Sequence, residues 1–494
     1  MRKQIITMYT LLKRVFIFLL IPLPLFGQAV LGGKTTVGGR AVLGASYAAT
    51  PNLVQMLTTP NTGNGGQNLV AGGNAKFSLG RAAQTGNAII VVWWTSSTSG
   101  TNTLTDNTGS NTWTAGPACT DTNSAQRMQS AIAVNVAANT RVFTLTVTSA
   151  SAWFGAMVME VQNVTAIHSI GTSNCPNNSM TTITSGSITP ANGDFLALFF
   201  ANTNASVATS IAAGSQSHIT WKTASEDDPD GMGSQWGVYT ASTAINPTMS
   251  QGSTGADTMA LSVALTSGTQ GGGIPAGVEI FGEHYASIQG GNANPYTVQM
   301  HVYGNEVVGM IDSQAGTQVN SISGMTCSIS SSTQDAGAIV ATQDFHCDNL
   351  TSGEFTLTIT QNNTTGVLGI LFYDIGGATA SPIDNTWTNT SNSQTGTGNF
   401  NSVTTGTLAN ANELVLANCT IAFNTVTSTT TSGALLDNGF LSTNNVSNTD
   451  YYNNDGNAHY LASGSTAAVT FGWGVQSGLG PNVANWASTA IGIE

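Results

Sequence analysis

The sequence predicts an all-β protein made of two tandem β-sandwich domains. The first observation is an internal repeat. Segment 153–166, a buried strand running out into a polar turn, matches 367–380 without a gap. The match pairs Gly155 with Gly369, Glu160 with Asp374, and Thr165-Ala166 with Thr379-Ala380. Upstream, 143–147 answers 355–359, and downstream 192–198 answers 411–416. The second observation is periodicity. Short apolar or alternating runs recur between clusters of Gly, Asn and Ser, and no stretch beyond residue 29 sustains a capped helical period. The third is composition. Charged residues make up 7% of the 494, against about 25% in ordinary soluble domains. Ser, Thr, Asn, Gln and Gly take their place, as in extracellular β-proteins.

In chain order, Arg2, Lys3, Lys13 and Arg14 precede the apolar run 15–21, which Pro22 and Pro24 break before the small residues at 27–29. Residues 1–29 therefore read as a secretory signal peptide. The run is short for a membrane span, so no integral span is expected in the mature chain. Residues 30–46 form a Gly-rich leader. Gly33-Lys34 invites comparison with a phosphate loop, but Gln28 stands where that motif needs its first glycine, so the segment reads as flexible.

The first repeat covers 47–266. Its run 88–94 is continuously apolar, as a strand covered on both faces should be, whereas Phe143, Leu145 and Val147 alternate with threonines. Between these, 105–113 is a turn cluster leading into a strand. Residues 267–275, with three consecutive glycines and Pro275, read as a linker. The second repeat covers 276–494, and its end, 486–494, echoes 259–265. Each repeat is expected to be one sandwich of roughly seven to nine strands.

Charge excludes several partners. Signal cleavage leaves Lys34, Arg40, Lys76, Arg81, Arg127, Arg141 and Lys222 against 24 acids, a net charge of −17. Such an acidic chain cannot neutralise phosphates, which excludes nucleic acid and disfavours anionic lipid. Five cysteines in a secreted chain leave at least one unpaired if all bonds are internal. Cys327 and Cys347 are placed to face each other across a hairpin centred near residue 337. Cys119 with Cys175 is a second pairing, and alternation along 413–423 buries Cys419 as a free thiol.

Segments 86–94, 104–114 and 236–242 resemble a broad set of secreted bacterial proteins with jelly-roll or immunoglobulin-like sandwich modules, most without an assigned activity. The resemblance implies fold and export and carries over no catalytic residue. In the second repeat the Thr105-Asp106-Asn107-Thr108-Gly109 turn is replaced by 311–316.

Several residues are candidates for chemistry. Glu279 and Glu283 are four apart, so an ideal strand puts both on one face. That spacing resembles the glutamates of laminarinase-like jelly rolls, although Phe281 fills the position of the intervening aspartate. The alternative is a pair of solvated edge charges. The acidic loop containing Glu226, Asp228 and Asp230 resembles the start of a Ca²⁺ loop, and Asp450 and Asp455 stand at the matching point of the second repeat. The alternative there is a plain turn. Trp113, Trp221, Trp236, Trp387 and Trp473 have small or polar neighbours, which suits either sugar stacking or packing under loops. No histidine has a second His or Cys at zinc-ligand spacing, and no nucleophile elbow occurs. The expected function is therefore a secreted, non-catalytic surface or matrix protein, adhesive, structural or binding a neutral glycan. A jelly-roll hydrolase is the alternative. Oligomeric state is not legible.

Overall fold

The computed structural model describes residues 34–37, 40–43, 50–58, 72–121, 125–149, 154–173, 175, 182–202, 211–227, 232–251, 258–268, 278–288, 294–314, 316–334, 340–363, 368–394, 399–421, 426–429, 435–437, 457–462, 464–475 and 484–494. The expected signal peptide lies outside them. Residues before 50 form a unit of their own, in which Lys34–Val37 pairs antiparallel with Arg40–Leu43. A hairpin thus stands where the sequence predicted a flexible leader. Everything from Thr50 to Glu494 belongs to one compact unit. Among the described residues no helix is long and apolar enough to cross a membrane.

The fold is all-β, as predicted, but its plan differs from one sandwich per repeat. An 11-stranded sheet contains strands from both repeats. Its first-repeat half runs Asn52–Thr58, Phe154–Gln162, Ala88–Thr95, Gln126–Ala133, Thr114–Asp121. Its second-repeat half runs Glu279–Ile288, Leu368–Gly376, Glu306–Gln314, Val340–Cys347, Cys327–Ile329, with Thr333–Gln334 also on Val340–Cys347. The halves join through Asn52–Thr58 and Glu279–Ile288, the opening strand of each repeat, which pair in parallel with Gly282 opposite Met56 and Glu283 opposite Leu57. Each pairing within a half is antiparallel. The segment read as a linker therefore separates two repeats that share one sheet, so a hinge between independent cores is not what the fold contains.

Two like strands pairing in parallel imply an approximate two-fold axis along the strands, which turns the sheet over between repeats. Packing agrees. In the first repeat, Ile90, Trp94, Met157 and Met159 face a five-stranded sheet carrying Phe195, Phe199, Leu261 and Val263. On the opposite face, Ile89, Val91, Phe154 and Val158 meet the three-stranded sheet of Asn74–Ser78, Val142–Val147 and Asn102–Asp106. In the second repeat, Val307, Ile311, Ile370 and Phe372 meet a three-stranded sheet, and Val308, Met310, Leu371 and Tyr373 face a five-stranded one. Lys222–Asp227, from the first repeat's five-stranded sheet, lies beside Tyr296–Val302, from the second repeat's three-stranded sheet. Each face of the large sheet thus carries five strands from one repeat and three from the other. A further three-stranded sheet covers the outer side of each five-stranded one. Each repeat is therefore two sandwiches back to back, twice the expected strand number.

This layering explains the two sequence patterns. Ala88–Thr95 and Leu368–Gly376 are buried at every residue because both faces are covered. Val142–Val147 alternates because it belongs to an outer layer. Disulfides join Cys119 to Cys175 and Cys327 to Cys347, the latter being direct register partners. Cys419 is in neither disulfide and is buried with Val415, Ala417 and Ile421, as alternation required.

Candidate functional site

A groove of about 660 Å³ opens beside the start of Asn52–Thr58 and the turn before Lys222–Asp227. Its rim carries Thr50, His218, Thr220 and Thr240, all exposed, with Asn52 half-buried. The turn is held by its own backbone. His218 sits at φ 68°, and its carbonyl accepts from Thr240 N (2.8 Å) and Thr240 Oγ1 (2.9 Å). Gln216 is committed to the fold: its Oε1 accepts from Trp221 Nε1 (3.1 Å) and Thr248 N (3.0 Å). Trp236 forms the floor. It stacks on Phe195 at 5.2 Å, donates Nε1–H to the Tyr303 hydroxyl, and has the Lys222 ammonium 4.5 Å from its ring centroid. Among the described residues no carboxylate lines the groove. Its described chemistry is hydroxyl, amide and imidazole around one cation, which suits hydrogen bonding to an uncharged polar ligand.

Of the five tryptophans singled out, the structure brings only Trp236 to this groove, and it is 2% exposed. Trp221 and Trp473 are likewise buried, Trp473 stacked on Phe471. Trp113 is half-buried edge-on to Phe143, its Nε1 bonded to Asp106 Oδ2 (2.9 Å). Asp106 also caps its turn, accepting from Thr108 N (2.9 Å) and Gly109 N (3.1 Å). Burial alone would raise its pKa, but the hydrogen bonds from Thr108 and Trp113 prevail and hold it below the ordinary value. Trp387 packs half-buried on the core of the last sandwich. None of these rings lies open as a flat platform.

Solvated edge charges do not describe Glu279 and Glu283, because their strand is central. Glu283 is fully buried, and Glu279 lies 3.4 Å from the Arg81 Nε of the first repeat. A bulge between Ile280 and Gly282 breaks the alternation on which their four-residue spacing relied. The matching acids Glu160 and Asp374 are structural. Glu160 accepts from Gln55 Nε2 (2.6 Å), Gln84 N (2.7 Å) and Asn87 Nδ2 (2.5 Å). Asp374 accepts from Tyr303 N (2.7 Å) and Gly304 N (2.9 Å), yet burial pushes its carboxyl up to about 7. Of the expected Ca²⁺ ligands, Asp228, Asp230, Asp450 and Asp455 lie outside the described residues. Glu226 is placed by its backbone alone, in Lys222–Asp227.

Two carboxylate clusters escaped the sequence reading. Asp384, Glu413 and Glu494 converge at one end of the last five-stranded sheet. At the matching place in the first repeat, Asp194 pairs with His168 Nδ1 at 2.6 Å. Glu306, His346 and Asp348 converge where Glu306–Gln314 begins and Val340–Cys347 ends. The signal for the second was in the repeat itself: Gly304-Asn305-Glu306 answers Gly86-Asn87-Ala88. No protein family, curated protein or solved structure matches the chain.

Proposed function

We propose that this is a secreted, non-catalytic protein of the cell surface or surrounding matrix, which binds a neutral glycan polymer in an adhesive or structural role. The observation that carries the reading is the groove beside Trp236, with its rim of Thr50, His218, Thr220 and Thr240 and no carboxylate among the described residues. Charge supports it. A chain at −17 after signal cleavage repels polyanions at long range and leaves neutral polymers unaffected. Hydroxyl and imidazole groups on the rim hydrogen-bond sugar hydroxyls directly or through water. Repeated presentation on one polymer turns weak single contacts into retention.

The test is pull-down of the mature protein with cellulose, chitin and similar solids, alongside assays of reducing-sugar release. Binding without sugar release is expected, reduced several-fold by His218→Ala with Thr220→Val. Retention unaffected by that double substitution would remove the groove from the reading. Sugar release abolished by Glu279→Gln or Glu283→Gln would replace it with the hydrolase.

A further inference from the structure

We propose that Glu306, His346 and Asp348 form a binding site for a divalent first-row metal ion, with Zn²⁺ as its natural probe. The ligand atoms of the three side chains all lie within 4.8 Å of one another. Their placement follows from register. Val307 pairs with Cys347 and Val308 with His346. Glu306 therefore sits opposite Asp348 at the end of the ladder, and His346 and Asp348, two apart, share its face. That face meets the second repeat's five-stranded sheet, as the neighbouring Val308 does.

The first repeat shows what this corner is without a site. Val161 pairs with Ala88, as Ile375 pairs with Glu306. Ile90 pairs with Ile132, as Val308 pairs with His346. The positions matching Glu306, His346 and Asp348 are thus Ala88, Ile132 and Val134. Ala88 and Ile132 are fully buried in the apolar core, and Val134 packs against it. Three neighbouring apolar positions have become a carboxylate, an imidazole and a carboxylate together.

A second observation points to a ligand. Glu306 is 0% exposed, and among the described residues no N–H or hydroxyl donor hydrogen-bonds to either of its carboxylate oxygens. A buried carboxylate left without partners is expensive, so natural structures neutralise it or give it to a metal. Its Oε1 lies 4.0 Å from His346 Nδ1, and that nitrogen is 2.5 Å from Asp348 Oδ1. Ligand atoms around Zn²⁺ stand about 3.3 Å apart at bond lengths near 2.0–2.1 Å. One gap must open and the other close by less than 1 Å. The side chains of His346 and Asp348 are 20% and 32% exposed, so an ion can reach Glu306 from solvent.

The supports are rigid. The Cys327–Cys347 disulfide pins the strand between the two outer ligands. Asn305 clamps Ala378 twice, through Nδ2 (2.7 Å) and Oδ1 (3.1 Å), and its carbonyl accepts from Leu350 N (2.8 Å). One imidazole with two carboxylates is a nitrogen–oxygen donor set suited to Zn²⁺ or another first-row dication, with further positions left for water. The competing occupant is a proton held between the Glu306 and Asp348 carboxyls.

The experiment uses the full chain without an affinity tag, stripped with chelator and titrated with Zn²⁺ by calorimetry. Its control is the triple variant Glu306→Ala, His346→Ile, Asp348→Val, which carries the first repeat's residues and so keeps a packing the fold already uses. The native chain should take up one Zn²⁺ more than the triple variant, and His346→Ala should weaken that uptake at least tenfold. Equal uptake by native and triple-variant chains would overturn the site. Absence of uptake by the native chain would also overturn it and leave the proton as occupant.

Discussion

At the scale of single residues, the buried acids and histidines give the protein its pH dependence. His284 is buried, and burial together with nearby His301 pushes its pKa from 6.5 down to about 4. The unfolded chain therefore binds a proton that the folded chain refuses, and stability falls as pH drops from about 6.5 towards 4. Asp374 works in the opposite sense. Burial raises its pKa from 3.8 to about 7, so the folded chain holds a proton that the unfolded chain releases. Its contribution is lost as pH rises from about 4 to 7. Denaturant midpoints between pH 4 and 8 should show this as difference curves. Relative to native protein, His284→Leu should gain on acidification and Asp374→Asn should gain as pH rises. Curves parallel to native would contradict both assignments. Cys419 should resist thiol reagents in the folded chain and react after denaturation, because it is fully buried between Ala417 and Ile421.

At the scale of the element, the strand ends matter most. Glu160 closes the end of Phe154–Gln162 by holding three donors from two segments, the strand Asn52–Thr58 and the turn at 84–87. Glu160→Ala removes the acceptor of Gln84 N and Asn87 Nδ2, while Gln55 Nε2 keeps Arg81 O, and should cost about 1–3 kcal/mol, read as a lower denaturant midpoint at unchanged slope. Much at this scale was legible in the sequence. The fully apolar run at 88–94 and the alternation at 142–147 separated inner layers from outer ones, because each pattern follows directly from how many faces are covered. The parallel pairing of Asn52–Thr58 with Glu279–Ile288 was not legible. Local periodicity fixes which face of a strand is buried and says nothing about which distant strand lies beside it. Glu279 and Glu283 were misread as edge charges for that reason. Glu306, His346 and Asp348 were missed because their ligand spacing exists across a ladder and not along the chain. Of the groove, only Trp236 was picked out; His218 and Thr220 belong to a turn whose φ of 68° at His218 carries no sequence signature.

At the scale of the whole molecule, duplication and fusion set the behaviour. Each repeat alone would expose its opening strand as an unpaired edge, with half of an 11-stranded sheet behind it. The polar contacts across the seam reinforce the pairing: Arg81 meets Glu279, and Trp236 donates to Tyr303. Separately expressed repeats, cut at residue 272, should therefore be less soluble than the joined chain and should aggregate through those edges. The groove lies close to this seam, since Asn52 and Trp236 line it while Trp236 bonds to Tyr303 of the second repeat. The proposed glycan binding should accordingly be weakened in the isolated first repeat.

Hydrogen exchange at the two joining strands tests the shared sheet most directly. Peptides covering Asn52–Thr58 and Glu279–Ile288 should fall in the slowest-exchanging class and lose protection together, at one denaturant concentration, because neither is an edge. Rapid, edge-like exchange in either peptide, or loss of protection in one repeat well before the other, would contradict the fusion of the two repeats into one sheet.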